Sequence, residues 1–121
     1  MLINLSNHPL TNWSDLQIKT ANDLYGKVVD IAFPEIPPDA DEYLIEELAN
    51  DYKDICLETL SNYPNENNAV HIMGELTFCF SLITALKKNG IVCVASTTDR
   101  NTVESDGIKY SEFKFVNFRG Y

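Results

Sequence analysis

The chain has 121 residues, of which 45% are hydrophobic, and a formal net charge of −9. This length predicts one domain, covering residues 1–121, with enough apolar side chains for a single core. The negative charge argues against duplex nucleic acid and against an anionic membrane as partners, because both present phosphate groups. No apolar run approaches the roughly 18 residues of a membrane helix, and MLINLSN is too short for a signal peptide, so a cytoplasmic location is expected.

The chain opens with a short predicted strand, Leu2 to Leu5, which the turn-forming residues after Leu5 bring to an end. Ser14 and Gln17 have the spacing of a capping box, so a helix is predicted to start near Trp13, and Gly26 is placed to stop it. Val28 to Phe33 then form the second predicted strand, which Pro34 ends.

The next segment combines an acidic helix with a buried strand. A helix is predicted from about Asp41 to Leu60, with apolar residues at helical spacing on one face. Eight acidic residues against the single base Lys53 lie between Asp39 and Glu58, which gives −7 of the net charge. A turn-rich loop follows over Asn62–Asn68, and Ala69 to Met73 form the third strand.

The stretch after the third strand is the one on which the functional hypothesis depends. Met73-Gly74-Glu75 leads directly into a helix that is apolar on nearly every side as far as Leu86, which is typical of a buried helix. Ile91 to Ala95 is an apolar run expected to be covered on both faces, and Ser96 to Arg100 are expected to form a polar loop after it. Asp106-Gly107 predicts a hairpin between Asn101–Ser105 and Ile108–Phe118.

These elements predict an α/β fold, a Rossmann-like three-layer sandwich. The expected sheet has four parallel strands in the order 2-1-3-4, extended by a C-terminal antiparallel β-hairpin. In such sheets ligands bind beyond the carboxyl ends of the strands, at the point where the strand order reverses. The order therefore places Ser6-Asn7-His8 beside Met73-Gly74-Glu75.

Each candidate residue at this edge also has a purely structural interpretation. The backbone amides at Gly74 could hold a phosphate, or the glycine could serve close packing of strand and helix. Glu75 could be a general base or contact a ribose, or it could only cap the helix, which the sequence favours. His8 could carry out acid–base chemistry or be an ordinary loop histidine. His71, inside a strand, is expected to be a core histidine with its hydrogen bonds satisfied.

The hydroxyl run Ser96-Thr97-Thr98 and the guanidinium of Arg100 suit phosphate binding, although Arg100 could instead pair with Asp99 on the surface. Arg119 could reach a neighbouring subunit or hold the carboxy-terminus of its own chain, and the sequence does not choose between these roles. The sequence has no GxGxxG or GxxxxGK[ST] motif, which argues against nicotinamide enzymes and P-loop ATPases, and no GxSxG motif of α/β-hydrolases. The three cysteines lack metal-ligand spacing and are expected to be reduced core thiols.

Two motifs give the chain a family resemblance. The segment Asn4-Leu5-Ser6-Asn7-His8-Pro9, with Trp13 after it, and the block Met73-Gly74-Glu75-Leu76-Thr77 resemble small stand-alone CRISPR-associated Rossmann-fold (CARF-like) proteins, some of which are ring nucleases. The resemblance implies a homodimer that binds cyclic oligoadenylate, most simply cyclic tetra-adenylate, across its two-fold axis. It also implies metal-independent cleavage by attack of a ribose 2′-hydroxyl on the adjacent phosphate.

Residue roles follow from combining the resemblance with the chemistry of the side chains, with no cofactor and no metal ligand expected. Two other functions stay open: a nucleotide-binding sensor or sponge that does not cut its ligand, and a small-molecule enzyme or structural partner protein. The residues expected to act in catalysis are His8, Glu75 and Arg100, and those expected to bind ligand are Ser6, Asn7, Met73, Gly74, Thr77, Ser96, Thr97 and Thr98.

Overall fold

The computed structural model describes residues 1–64 and 66–121. Its sheet has five strands in the order β2-β1-β3-β4-β5. Strands β1 to β4 run parallel, and β5 is antiparallel to β4. The α/β class and the predicted order of the first four strands are therefore confirmed. The strands are β1 (Leu2–Ser6), β2 (Val28–Asp30), β3 (Ala69–Met73), β4 (Val92–Ser105) and β5 (Ile108–Gly120).

Helices cover both faces of the sheet. Helix α1 (Asp15–Tyr25) packs on one face, over Leu2, Ala69 and Val94. Helices α2 (Glu42–Ser61) and α3 (Leu76–Lys88) pack together on the other face, over the alternate residues of the same strands, such as Ile3 and Val70. Because successive side chains of a strand point to opposite faces, β1 and β3 contribute to both cores.

The predicted helix boundaries agree with observed caps. The Ser14 hydroxyl accepts a hydrogen bond from the Gln17 amide at 3.2 Å, which fixes the start of α1. Gly26 ends that helix with a positive φ of 82°. The Asp41 carboxylate caps α2 by accepting from the Leu44 amide at 2.9 Å. The predicted loop Asn62–Asn68 includes Asn65, which lies outside the described residues.

The prediction of a polar loop over Ser96–Arg100 is wrong. Strand β4 continues without a break to Ser105, and β5 pairs with it along almost its whole length. The backbone hydrogen bonds of β5 keep this polar segment extended, although its side chains are typical of a loop. The hairpin around Asp106-Gly107 is confirmed, but its first arm is the end of β4 and not a separate strand.

A β-bulge in β5 aligns a row of aromatic side chains. Thr97 pairs with Asn117 and Thr98 with Phe115, so Val116 is an extra residue without a partner. Phe115 and Phe118 would face opposite sides of a regular strand, but across the bulge both pack in the core under α1. The bulge therefore places several aromatic rings over one end of the sheet.

Three smaller expectations need correction. Helix α3 is amphipathic and not buried all round, since Leu76 is 83% and Phe80 74% exposed. Strand β2 ends at Asp30 and not at Phe33, because Phe33 turns inward to pack against Phe78 at a centroid distance of 5.2 Å. Val92, at the start of β4, is 54% exposed, so that strand is not covered along its whole length. No helix in the described part of the chain is long and apolar enough to cross a membrane.

Candidate functional site

The two segments highlighted by the sequence meet at the carboxyl edge of the sheet. Strands β1 and β3 are neighbours, and Ser6 lies directly beside Met73 in their register. The Asn7 amide donates a hydrogen bond to the Met73 carbonyl at 3.1 Å. The chain leaves β1 toward the α1 face and β3 toward the α3 face, so the strand order reverses here. The predicted convergence is confirmed.

Asn4 is the centre of a buried polar network beneath this edge. Its side chain is 1% exposed, and its amide nitrogen donates to Asp30 Oδ1 at 2.8 Å and to the His8 carbonyl at 2.9 Å. Its amide oxygen accepts from the Ser6 hydroxyl at 2.8 Å and contacts His71 Nδ1 at 2.9 Å. Both amide hydrogens are used, so the orientation of Asn4 is determined by its partners.

His71 lies at the bottom of the site with both ring nitrogens engaged, as expected for a core histidine. Burial, followed by the charge of nearby His8, lowers the pKa of His71 to about 4, so the ring is neutral at neutral pH. Nδ1 faces the Asn4 oxygen, which can only accept, so Nδ1 carries the proton. Nε2 is then the acceptor for the Ser96 hydroxyl at 2.7 Å.

Ser96 connects this buried network to solvent. Its hydroxyl also accepts a hydrogen bond from Gln17 Nε2 at 3.0 Å, which ties α1 to β4. Its backbone amide, at the level where β3 ends, contacts the Met73 sulfur at 3.4 Å. Sulfur is a weak acceptor, so this amide is held loosely.

A cavity of about 230 Å³ opens above Ser96, between α1 and the β4–β5 hairpin. We call it the Trp13 cavity. The Trp13 indole donates to the His8 carbonyl at 3.0 Å, which holds the segment after β1 against α1. The walls combine aromatic rings with polar groups: His8, Asn12, Trp13, Ser14, Gln17, His71, Met73, Ser96, Thr98, Phe113 and Phe115.

Three other cavities do not reach His71 or Ser96. One of about 420 Å³ lies between the ends of β1 and β2 and is lined by Ser6, Asn7 and Asp30 among others. Cavities of about 460 and 470 Å³ lie between α2 and α3, and the second reaches Leu76 and Thr77 at the start of α3. Although larger, these two are lined by α2, α3 and their flanking turns, whereas the Trp13 cavity receives polar side chains from β3, from β4 and from the segment after β1.

The turn before α3 has a structural role. The Glu75 carboxylate accepts from the amides of Thr77 at 3.0 Å and Phe78 at 2.8 Å, and the Thr77 hydroxyl also donates to it. These bonds, that of Phe78 first, lower the pKa of Glu75 and occupy the amides that a phosphate would use. A Cβ at Gly74 would lie 2.4 Å from the Phe33 ring, so this glycine serves close packing.

The remaining predicted residues are divided between the two faces of the hairpin. Thr98 lines the Trp13 cavity, whereas the Thr97 hydroxyl bonds to the Asn117 backbone at 3.1 Å. Arg100 lies farther along β4, with Nε bonded to the Ser111 hydroxyl at 3.1 Å and the guanidinium 5.8 Å from the Phe113 ring centroid. Within residues 1–64 and 66–121 it forms no ion pair, with Asp99 or any other acid.

Sequence reasoning missed four contributors to the site, namely Asn4, Trp13 as a cavity wall, Gln17 and Asp30. A signal for Asn4 was present, since Asn4 and Ser6 are polar residues two apart in an otherwise apolar strand, and such a pair shares one face. Asp30 and Gln17 gave no comparable signal, because their roles depend on contacts distant in sequence. Among the described residues, no group of three or more His, Cys, Asp or Glu side chains could hold a metal ion.

A comparison with protein families identifies the chain as a member of the Uncharacterized protein MJ1673 family, whose model matches residues 1–119. The match spans nearly the whole chain, including every residue of the network and of the cavity. No curated protein and no solved structure matches the chain.

Proposed function

We propose that the protein is a CARF-like ring nuclease of Rossmann-like fold that binds cyclic oligoadenylate second messengers of type III CRISPR defence and cleaves them without a metal. The observation that carries the proposal is the meeting of Ser6-Asn7-His8 with Met73 at the strand-order reversal. Ligands of open α/β sheets bind at this position. The aromatic walls of the adjacent Trp13 cavity suit a stacked nucleobase.

The charges near the cavity are suited to a phosphodiester. The Arg100 guanidinium has its Nε held by Ser111, and no described carboxylate neutralises it, so its terminal nitrogens can face a ligand oxygen. His8 lines the cavity mouth, where its ring can exchange a proton with the ligand. With Glu75 occupied as a helix cap, His8 and Arg100 are the two residues to which we assign the chemistry.

The proposed reaction needs no group outside the ligand as nucleophile. A ribose 2′-oxygen attacks the adjacent phosphorus while the bond to the 5′-oxygen breaks. The products are a 2′,3′-cyclic phosphate and a free 5′-hydroxyl. The 2′-hydroxyl loses its proton to His8, the leaving 5′-oxygen takes a proton from solvent water, His8 afterwards returns its proton to solvent, and Arg100 balances the charge on the phosphoryl oxygens.

The size of the cavity favours a homodimer as the working unit. A volume of about 230 Å³ is below the roughly 300–1,000 Å³ usual for pockets that enclose a drug-sized ligand. One chain would then hold a single nucleotide unit, and a ring of several nucleotides would need a second copy facing the first. The proposal therefore includes a dimer with the carboxyl edges of both sheets toward the two-fold axis.

The test is incubation of the purified protein with labelled cyclic tetra-adenylate and cyclic hexa-adenylate, without divalent metal and with a chelator. We expect a linear product ending in a 2′,3′-cyclic phosphate, seen by chromatography and mass spectrometry. Intact rings and no detectable binding would refute the proposal. Light scattering with and without ligand gives the stoichiometry, for which we expect two chains per ring.

Two variants separate the assigned roles. His8→Ala should slow cleavage by about 10²-fold or more while changing the affinity little, because a general acid–base group acts mainly on the chemical step. Arg100→Ala should weaken binding more than it slows the bound complex. Lys114→Ala is the matched control, since Lys114 pairs with Asp99 next to Arg100 and faces the opposite side of the hairpin. Equal effects of all three would remove these roles.

A second candidate is a nucleotide-binding module that retains its ligand intact. This candidate is favoured because the Glu75 carboxylate is engaged as a helix cap. Of the three residues expected to act in catalysis, only His8 is then left to transfer a proton. In the same experiment, stoichiometric binding of rings that stay intact over hours would select this function over cleavage.

A further inference from the structure

We propose that the Trp13 cavity receives the adenine ring of the ligand and that Ser96 Oγ accepts a hydrogen bond from its exocyclic amine. This inference rests on the proposed function and deepens it, since it assigns the residue that distinguishes adenine, with its exocyclic amine, from a base such as hypoxanthine that has a carbonyl oxygen at that position.

Asn4 sets the direction. Its amide nitrogen faces two acceptors that have no hydrogen to give, Asp30 Oδ1 and the His8 carbonyl. Its oxygen is therefore the atom that faces His71, and it must accept the Nδ1 hydrogen. A neutral imidazole carries one hydrogen, so Nε2 is left as a bare acceptor. The only described polar group in contact with Nε2 is the Ser96 hydroxyl, which donates to it.

Ser96 can therefore only accept from the cavity. Its single hydrogen is committed to His71, and one of its two lone pairs is taken by Gln17 Nε2 at 3.0 Å. The second lone pair has no partner among the described residues, and Ser96 lines the cavity. A ligand atom placed there must carry a hydrogen, because an oxygen of a phosphate or of a keto group would face another lone pair.

Adenine meets this requirement at its exocyclic amine, whereas hypoxanthine presents a carbonyl oxygen at the same position. The walls of the cavity cannot make this distinction, because stacking on an aromatic ring such as the exposed Phe113 accepts any planar base. The cavity is also large enough for one base but too small for a whole cyclic oligoadenylate. Discrimination between an amine and a carbonyl therefore depends on Ser96, while His8 at the cavity and Arg100 over the Phe113 ring remain available for the phosphate.

The chain has a single tryptophan, so its tryptophan fluorescence comes from Trp13, which lines this cavity. Adenosine monophosphate and inosine monophosphate are titrated against the wild-type protein, and the dissociation constants are compared. We expect adenosine monophosphate to bind about 10-fold more tightly, since a site with a fixed acceptor discriminates strongly against an unpaired carbonyl. Equal affinities would overturn the inference, as would no fluorescence change with either nucleotide.

Variants at Ser96 make the test specific. Ser96→Ala removes the acceptor and should reduce the preference to about 2-fold or less. Ser96→Thr keeps the hydroxyl and should retain the preference for adenosine monophosphate. Loss of the preference in the alanine variant alone would then be due to the missing acceptor and not to a general structural change. An alanine variant that keeps the full preference would overturn the inference. If that variant also cleaves cyclic oligoadenylate normally, the proposed function stands and only the role of Ser96 fails.

Discussion

The buried neutral histidine makes a quantitative prediction about stability and pH. In the folded chain His71 has a pKa of about 4, against an ordinary value of 6.5, because burial disfavours the charged ring. The unfolded chain therefore binds more protons than the folded chain between these two values, and folding becomes less favourable as the pH falls. The stabilisation is complete above about pH 6.5 and is lost progressively toward pH 4.

The size of the effect follows from the shift. At about 1.4 kcal/mol per pKa unit, the whole loss is about 3 kcal/mol, and between about pH 7.5 and pH 5.0 it is about 2 kcal/mol. That is a large part of the 5–15 kcal/mol typical of a domain of this size. The structural origin is the burial of the His71 ring, with the charge of nearby His8 as the second cause.

The assay is urea unfolding of the wild type and of His71→Gln at several pH values. Carboxylates also titrate in this range, so the relevant quantity is the difference between the two proteins at each pH. We expect this difference to shrink by about 2 kcal/mol on going from about pH 7.5 to pH 5.0. His8→Gln is the control, because His8 is exposed and is only the second cause of the shift at His71. A difference that stays constant with pH would refute the reasoning, as would an NMR titration of His71 near its ordinary value.

Three further predictions test the turn before α3 and the hairpin by urea unfolding. Gly74→Ala should lower the free energy of unfolding by about 1–3 kcal/mol, because the new Cβ would overlap the Phe33 ring. Gly120→Ala is the control and should lower it much less, since the nearest atom to its new Cβ lies at 3.9 Å. Similar losses in the two variants would contradict the packing role of Gly74. Glu75→Ala should lower the free energy of unfolding by about 1 kcal/mol, because the helix cap is lost. The difference between wild type and variant should shrink as the pH falls below the ordinary carboxyl pKa of 4.5. A difference that does not change with pH would exclude a charged cap. Deleting Val116 removes the bulge and should cost far more than Val116→Ala, which changes an exposed side chain; equal costs would show that the aromatic row does not depend on the bulge.

Much of the fold was predictable because its signals are local. The Ser14 cap and the stop at Gly26 depend on residues within one helical turn of each helix end. The order of the parallel strands followed from the alternation of strands and helices together with right-handed crossovers. The end of β4 was not predictable in this way. Thr97, Thr98 and Asp99 have loop-like side chains, and only the pairing with β5, which lies later in the chain, keeps them extended.

The candidate site likewise has features that the sequence predicted and features that it could not predict. The meeting of Ser6 and Met73 followed from strand order, which the sequence pattern could supply. The bulge at Val116 could not be foreseen, because a plain alternation places Phe118 on the opposite face from Phe115. For Glu75, sequence reasoning left a cap and a catalytic base open, and the hydrogen bonds to Thr77 and Phe78 support the cap. Local chemistry defined the alternatives, and tertiary contacts decided between them.

The buried network determines which group donates and which accepts in each hydrogen bond at this edge of the sheet. Asn4 and His71 are 67 residues apart, and His71 and Ser96 are 25 apart, so the network forms only when β1, β3 and β4 align in the sheet. Within it, each group has one way to satisfy its partners, because the Asp30 carboxylate and the His8 carbonyl at one end accept only. Asp30, 26 residues from Asn4 in sequence, therefore helps to make Ser96 an acceptor toward the cavity, through the side chains of Asn4 and His71. Replacing Asp30 by Asn would add hydrogens at that end and allow the Asn4 amide to turn, so the adenine preference should weaken in Asp30→Asn although residue 30 does not line the Trp13 cavity.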